Sequence, residues 1–166
     1  ILHKKIQIVF QQATLFKGTI AENLRMGNLA ATDEELWHAL KVAQAEDFVL
    51  EKPDGLNTFI EQGGKNLSGG QRQRLTIARG IVVQPEIIVF DDTSSALDYA
   101  TDSKLRLAIQ NLPMTVITVS QRINAIRDCE QIIVLDQGSI HALGTHEQLL
   151  KTSKLYQEIA ASQDML

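Results

Sequence analysis

"EIIVFDD", residues 86–92, sets four apolar side chains in a row and closes them with two carboxylates. A short apolar run without alternation is the pattern of a strand covered on both faces, as in a parallel sheet. Ligands bind at the carboxyl edge of such sheets, where Asp91 and Asp92 would fall. Moving outward, "TVITV" (115–119) and "QIIVLD" (131–136) read as two further buried strands, and residues 99–111 as a helix. Upstream, "KIQIV" (5–9) alternates and contains β-branched residues, so it reads as a strand ending near Phe10, followed by a polar loop over 11–17. Strands alternating with helices in the second half predict a parallel, doubly wound α/β layer.

Between the first two sheet strands the pattern is helical. "ATDEELWHALKVAQAEDFVL" has Thr32 and Glu35 at capping-box spacing and reads as one helix, broken by Pro53, Gly55 and Asn57. Residues 67–83 read as a second helix, with Ser68 as N-cap and Gln71 three residues on. The first 80 residues, mostly helical after one strand, look like an insertion on the layer. "DQGS" (136–139) is a hairpin turn into "IHAL", and Thr145 with Gln148 caps a final helix pair.

The 166 residues are 44% hydrophobic and 22% charged, with a formal net charge of -4, which argues against a broad nucleic-acid footprint. The longest apolar runs fall far short of the roughly 20 residues of a spanning helix. Cys129 is the only cysteine, so an intrachain disulfide is excluded. The chain begins "ILHKKIQIVF", without Met or a secretory pattern, and reads as an excised piece. His3, His38, His141 and His146 have no metal-ligand spacing. "RQR" (72–74) is too short for a nucleic-acid patch, so Arg72 or Arg74 is expected to support the helix surface or a neighbouring carboxylate. Trp37 is expected in the core, and Thr93 and Ser94 in a turn.

Two segments carry chemistry. A helix start leaves about four N–H groups unpaired and carries roughly half a positive charge, which makes it an anion site. In "LSGGQRQRL", Gly69 and Gly70 clear side chains from that backbone and the Ser68 hydroxyl can donate to a phosphate oxygen. At the strand end, Asp91 is placed to hold Mg2+, directly or through a water, and Asp92 to meet a water attacking a terminal phosphate.

These residues together resemble the nucleotide-binding domain of ABC transporters, over the whole chain. "LSGGQRQR" resembles the signature, "IIVFDD" the Walker B, "SALD" (95–98) the D-loop and Gln11 in "VFQQATLFKGTI" the Q-loop. "TFIEQGGKN" falls at the X-loop of exporters, and "GSIHALGTHEQLL" resembles their C-terminal hairpin and helix. The resemblance implies an incomplete P-loop NTPase (RecA-like) α/β layer with a helical signature subdomain. Residues 1–12 would form the strand and Q-loop start, 13–83 the mainly helical subdomain, and 84–166 the Walker B, D-loop, H-loop and C-terminal part.

The resemblance further implies that Gln11 touches Mg2+ and the attacking water. Ser68, Gly69, Gly70 and Gln71 would reach ATP held by a second such domain in a head-to-tail dimer, and Asp98 would cross the interface. A transmembrane domain on the same full-length chain would place this one at the cytoplasmic face of the membrane. The family's general base is Glu, where this chain has Asp92, and Gln121 in "TVSQR" stands at the H-loop histidine. A Walker-A loop, Gly-x-x-x-x-Gly-Lys-Ser/Thr, is absent, so the 166 residues alone are expected neither to bind ATP tightly nor to hydrolyse it. The pattern resembles the degenerate half of a heterodimeric exporter. The alternatives are a slow homodimeric exporter ATPase and a regulatory module that binds ATP without hydrolysis. A soluble ABC ATPase of chromosome or repair type would need heptad runs, which are missing.

Overall fold

The apolar run around Val89 is the centre of a sheet in the computed structural model, which describes residues 5–163. The strands are β1 (Ile6–Val9), β2 (Gly18–Thr19), β3 (Phe59–Ile60), β4 (Ile87–Asp91), β5 (Thr115–Val119), β6 (Ile132–Asp136) and β7 (Ser139–Gly144). The helices are α1 (Ile20–Arg25), α2 (Asp33–Val42), α3 (Glu46–Leu50), α4 (Gly69–Val82), α5 (Tyr99–Gln110), α6 (Ile123–Ile126), α7 (His146–Thr152) and α8 (Lys154–Ala161). The chain divides into two units, Ile1–Val119 and Ser120–Leu166.

In the first unit β1, β4 and β5 lie parallel in that order, with Val9 opposite Phe90 and Asp91 opposite Val119. Side chains alternate across a strand, so Val9, Ile88 and Phe90 share the buried side. Helix α4 packs there: a Cβ on Gly80 would meet Val9 at 3.0 Å and Ile88 at 3.5 Å. The core continues through Leu75 and Ile77 of α4, Leu36 and Leu40 of α2, and Ile20 and Leu24 of α1. Trp37 is partly buried against that cluster.

Four expectations change. Residues 115–119 form a strand, but Val116, Ile117 and Val119 are exposed. β5 pairs only with β4 among the described residues, so its apolar run is uncovered rather than buried on both faces. β6 is not a third strand of that sheet; it pairs antiparallel with β7 in the second unit. The turn explains the antiparallel pairing with β7: Gln137 (φ 46°) and Gly138 (φ 78°) both take left-handed values, and a two-residue turn of that kind joins antiparallel strands.

The expected single helix at 32–50 is two helices. Gln44 is left-handed (φ 57°), its N–H donates to Lys41 O, and Ala45 N–H donates to Leu40 O, which is a Schellman ending without glycine. The helical half also contains a small antiparallel pair, β2 with β3, that the sequence reading did not include. In the second unit Ile132 and Val134 of β6 pack with Leu149, Tyr156 and Ala160 of α7 and α8.

Candidate functional site

The start of α4 is built as the Ser68/Gln71 spacing requires. Ser68 Oγ accepts from Gln71 N–H at 3.2 Å, and Gln71 Oε1 accepts from Ser68 N–H at 3.0 Å. The hydroxyl hydrogen of Ser68 and the Nε2 of Gln71 are not used in this box. The N–H groups of Gly69 and Gly70 meet no acceptor among the described residues. The two glycines differ. A Cβ at Gly69 would come only within 3.9 Å of Arg72 Nη2, whereas one at Gly70 would stand 3.3 Å from Ala96 O. Gly69 therefore keeps the helix start open, and Gly70 lets the turn after β4 approach.

The carboxylate pair sits at the carboxyl end of β4, between β1 and β5. Asp91 is the last residue of the strand, opposite Val119. Asp92 turns left-handed (φ 47°, ψ 37°), its N–H donates to Val119 O at 2.8 Å, and Ser95 Oγ donates to its carbonyl at 2.9 Å. Because β1 runs beside β4 in register, the residue two beyond Val9 arrives beside the residue two beyond Phe90. Gln11 Nε2 accordingly donates to Asp92 Oδ2 at 2.9 Å. That bond leaves Gln11 Oε1 and the carboxylate of Asp91 as hard oxygen donors at one strand end, a set that fits Mg2+, which takes few protein oxygens and fills its shell from water and phosphate. No group of three or more His, Cys, Asp or Glu with metal-holding geometry occurs among the described residues.

Asp98 caps α5: Oδ1 accepts from Thr101 N–H at 2.9 Å and Oδ2 from Thr101 Oγ1 at 2.7 Å. The bonds from Thr101 hold its carboxyl below the ordinary value of 3.8. Thr93 and Ser94 lie in the single 3-10 turn between β4 and α5. Gln11, Asp91, Asp92, Ser68–Gln71 and Asp98 belong to the first unit, while Gln121 belongs to the second, where its backbone carbonyl accepts from Gln163 Nε2 at 2.8 Å.

The arginines of "RQR" bind carbonyls rather than carboxylates. Arg72 Nη1 donates to Leu67 O at 2.9 Å, and Arg74 Nη1 donates to Gln44 O, with its guanidinium 4.8 Å over the Phe48 ring. Burial lowers the pKa of Arg74, opposed by Asp98 and Asp47. Between them stands a residue that the sequence reading passed over. Gln73 is 1% exposed, its Nε2 donates to Phe10 O at 3.2 Å, and its Oε1 has no partner among the described residues. A polar residue on the apolar face of an otherwise regular amphipathic helix was the available signal. Six residues on, Arg79 Nη2 donates to Thr14 O at 3.0 Å, and burial lowers its pKa. A groove of about 520 Å³ runs over this region, lined by Gln11, Thr14, Lys65, Gly69 and Gln73 among others.

Comparison with known proteins decides the family. The family model described as "ABC transporter" matches residues 1–95. The chain belongs to the ABC transporter family. An uncharacterized ABC transporter ATP-binding protein of Mycobacterium bovis is 47% identical over 99% of this chain and 29% of that protein. The mitochondrial potassium channel ATP-binding subunit of Mus musculus is 38% identical over 96% of this chain and 23% of that protein. The solved structure of a bacterial Atm1-family ABC exporter with ATP bound superposes with a TM-score of 0.92 at 36% identity, covering 96% of this chain and 29% of that one. The fold of this ABC chain is thus that of an exporter-type nucleotide-binding domain. It spans less than a third of the relatives it matches. Among the described residues no helix is long and apolar enough to cross a membrane.

Proposed function

We propose that this chain is the energy-coupling part of an ABC exporter, with α4 completing an ATP site on a second nucleotide-binding domain and its own Asp92 site turning over slowly. The observation that carries the reading is the start of α4: two unbonded glycine amides, a free hydroxyl hydrogen on Ser68 and an unused Nε2 on Gln71 converge at one helix end. Four donors and the positive end of a 14-residue helix suit a phosphate. The nucleotide that these donors face is held by a second nucleotide-binding domain, in the head-to-tail pairing of ABC domains.

In the chain's own site, Asp91 and Gln11 Oε1 would hold Mg2+. When bound, the ion neutralises charge on the phosphate oxygens. Asp92 accepts the proton of the attacking water through the oxygen that Gln11 leaves free. Its side chain is one methylene shorter than Glu, and misplacement by about 1 Å costs on the order of 10²-fold in rate. Gln121, at the H-loop position, carries an amide that can hydrogen-bond but can carry neither a proton nor a charge, unlike His. The partner is then a different nucleotide-binding domain, paired head to tail, whose own base does most of the hydrolysis. A transmembrane domain on the same full-length chain receives the motion, at the cytoplasmic face of the membrane. The 166 residues alone neither hold ATP tightly nor hydrolyse it.

A second reading, a homodimer with slow turnover, is favoured by the left-handed backbone of Asp92. Asp is one of the few residues suited to that conformation, so its presence need not mark a decayed site. ATP turnover of the assembled transporter separates the two. In a heterodimer Asp92→Asn keeps most of the turnover, whereas Ser68→Arg, which fills the phosphate end of α4, lowers it by about tenfold or more. A collapse with Asp92→Asn as deep as that from removing the partner's base would establish the homodimer-like reading instead.

A further inference from the structure

We propose that Gln73 is a positioning residue for Gln11, through which α4 holds the loop after β1 in the geometry that hydrolysis needs. The role rests on the ATPase reading above. Three observations converge on it. Gln73 stands one helical turn beyond Gly69, on the side of α4 turned to the core, and is 1% exposed. Its Nε2 donates to the carbonyl of Phe10, the residue immediately before Gln11, across 63 positions of sequence. Its Oε1 stays unpartnered among the described residues, in the interior. The orientation follows from the bond, since the flipped amide would set Oε1 against the Phe10 oxygen.

Packing alone does not account for an amide there. A methionine or leucine would fill the space without burying an unpaired oxygen. What the amide adds is a grip on the loop, and Arg79 Nη2 grips the far end at Thr14 O. Residues 10–14 are therefore slung from one helix at both ends, and between these ties Gln11 Nε2 donates to Asp92 Oδ2. The nearer tie sets where the Gln11 side chain starts, so it sets both the Gln11 amide and the carboxylate bonded to it. The same helix begins with the phosphate-facing Ser68–Gln71. A displacement of α4 on meeting a partner's nucleotide thus moves Phe10, and the influence runs both ways, as any coupling must.

The test uses the assembled full-length transporter, with the partner's catalytic base removed where the partner is a different chain, so that turnover reports the site holding Asp92. Gln73→Met is expected to lower kcat about tenfold, with KM for Mg-ATP changed by less than about twofold, because an oriented group is misplaced while binding groups stay. Amide exchange over residues 11–14 should rise about tenfold while β4 keeps its protection. In a Gln11→Ala background Gln73→Met should change kcat by less than about twofold, since a residue acting through Gln11 has nothing left to act on. Unchanged exchange at 11–14, or a full multiplicative loss on top of Gln11→Ala, overturns the role. Should Gln73→Met also loosen β4, Gln73→Leu, which fills the space and carries no donor, decides by the same exchange and kcat readings. A wild-type transporter without ATP turnover sinks the proposed function, and the exchange result still decides whether Gln73 holds the loop.

Discussion

Asp92 joins two demands in one residue. Its type and place were legible, because an acidic pair after an apolar run marks the ligand edge of a sheet. Its backbone was not, because nothing in "FDDTSS" announces a left-handed residue. With φ at 47°, the position favours Gly, tolerates Asp and Asn, and opposes branched side chains. Asp92→Val is expected to lower stability by about 1–3 kcal/mol, and Asp92→Gly to raise it by up to about 1 kcal/mol. Chemical denaturation of the two variants checks this, and equal midpoints would show that the turn carries no strain. Gln11 gives the matching lesson. Its bond to Asp92 follows from strand register, which appears only once β1 is paired with β4.

At the scale of elements, what could be read was local and what could not was tertiary. The capping boxes at Thr32, Ser68 and Thr145 are three-residue spacings, and all three form as spaced. The break after α2 was hidden because its left-handed residue is Gln44 rather than Gly, and Arg74 of α4 supports that turn from outside. Close packing on α4 was equally silent. A Cβ on Gly27 would lie 2.4 Å from the backbone oxygen of Arg79, which cannot yield as a side chain could. Gly27→Ala is expected to cost about 1–3 kcal/mol by forcing α1 and α4 apart. Gly80→Ala should cost less, since its Cβ would press on the Val9 methyl at 3.0 Å. Denaturant midpoints of the two variants give the order, and a reversal would mean that the loop at Gly27 adjusts freely.

At the scale of the molecule, the apolar runs were read as strands with cover on both sides, and the described residues supply less than that. Register places Ile8 and Ile117 on one face of the first sheet, with Phe10 and Val119 one step further along it, and all four are exposed. In the second unit Ile133 and Leu135 of β6 face outward with Leu143 and Ile140 of β7. The strands were legible because continuous apolar sequence requires cover; the source of that cover was not, since it is tertiary and no local pattern records it. Apolar faces of this kind and an unpaired edge on β5 drive association. The 18.4 kDa chain by itself is therefore expected to show a weight-average mass above monomer that rises with concentration in the micromolar-to-millimolar range. Lysine on each face, in the double variant Ile117→Lys and Leu135→Lys, should return it towards monomer with a stability change within about 0.5 kcal/mol, because both side chains already stand in solvent. Sedimentation equilibrium reads both, and a wild-type chain that stays monomeric throughout would mean that these faces find cover within the chain itself.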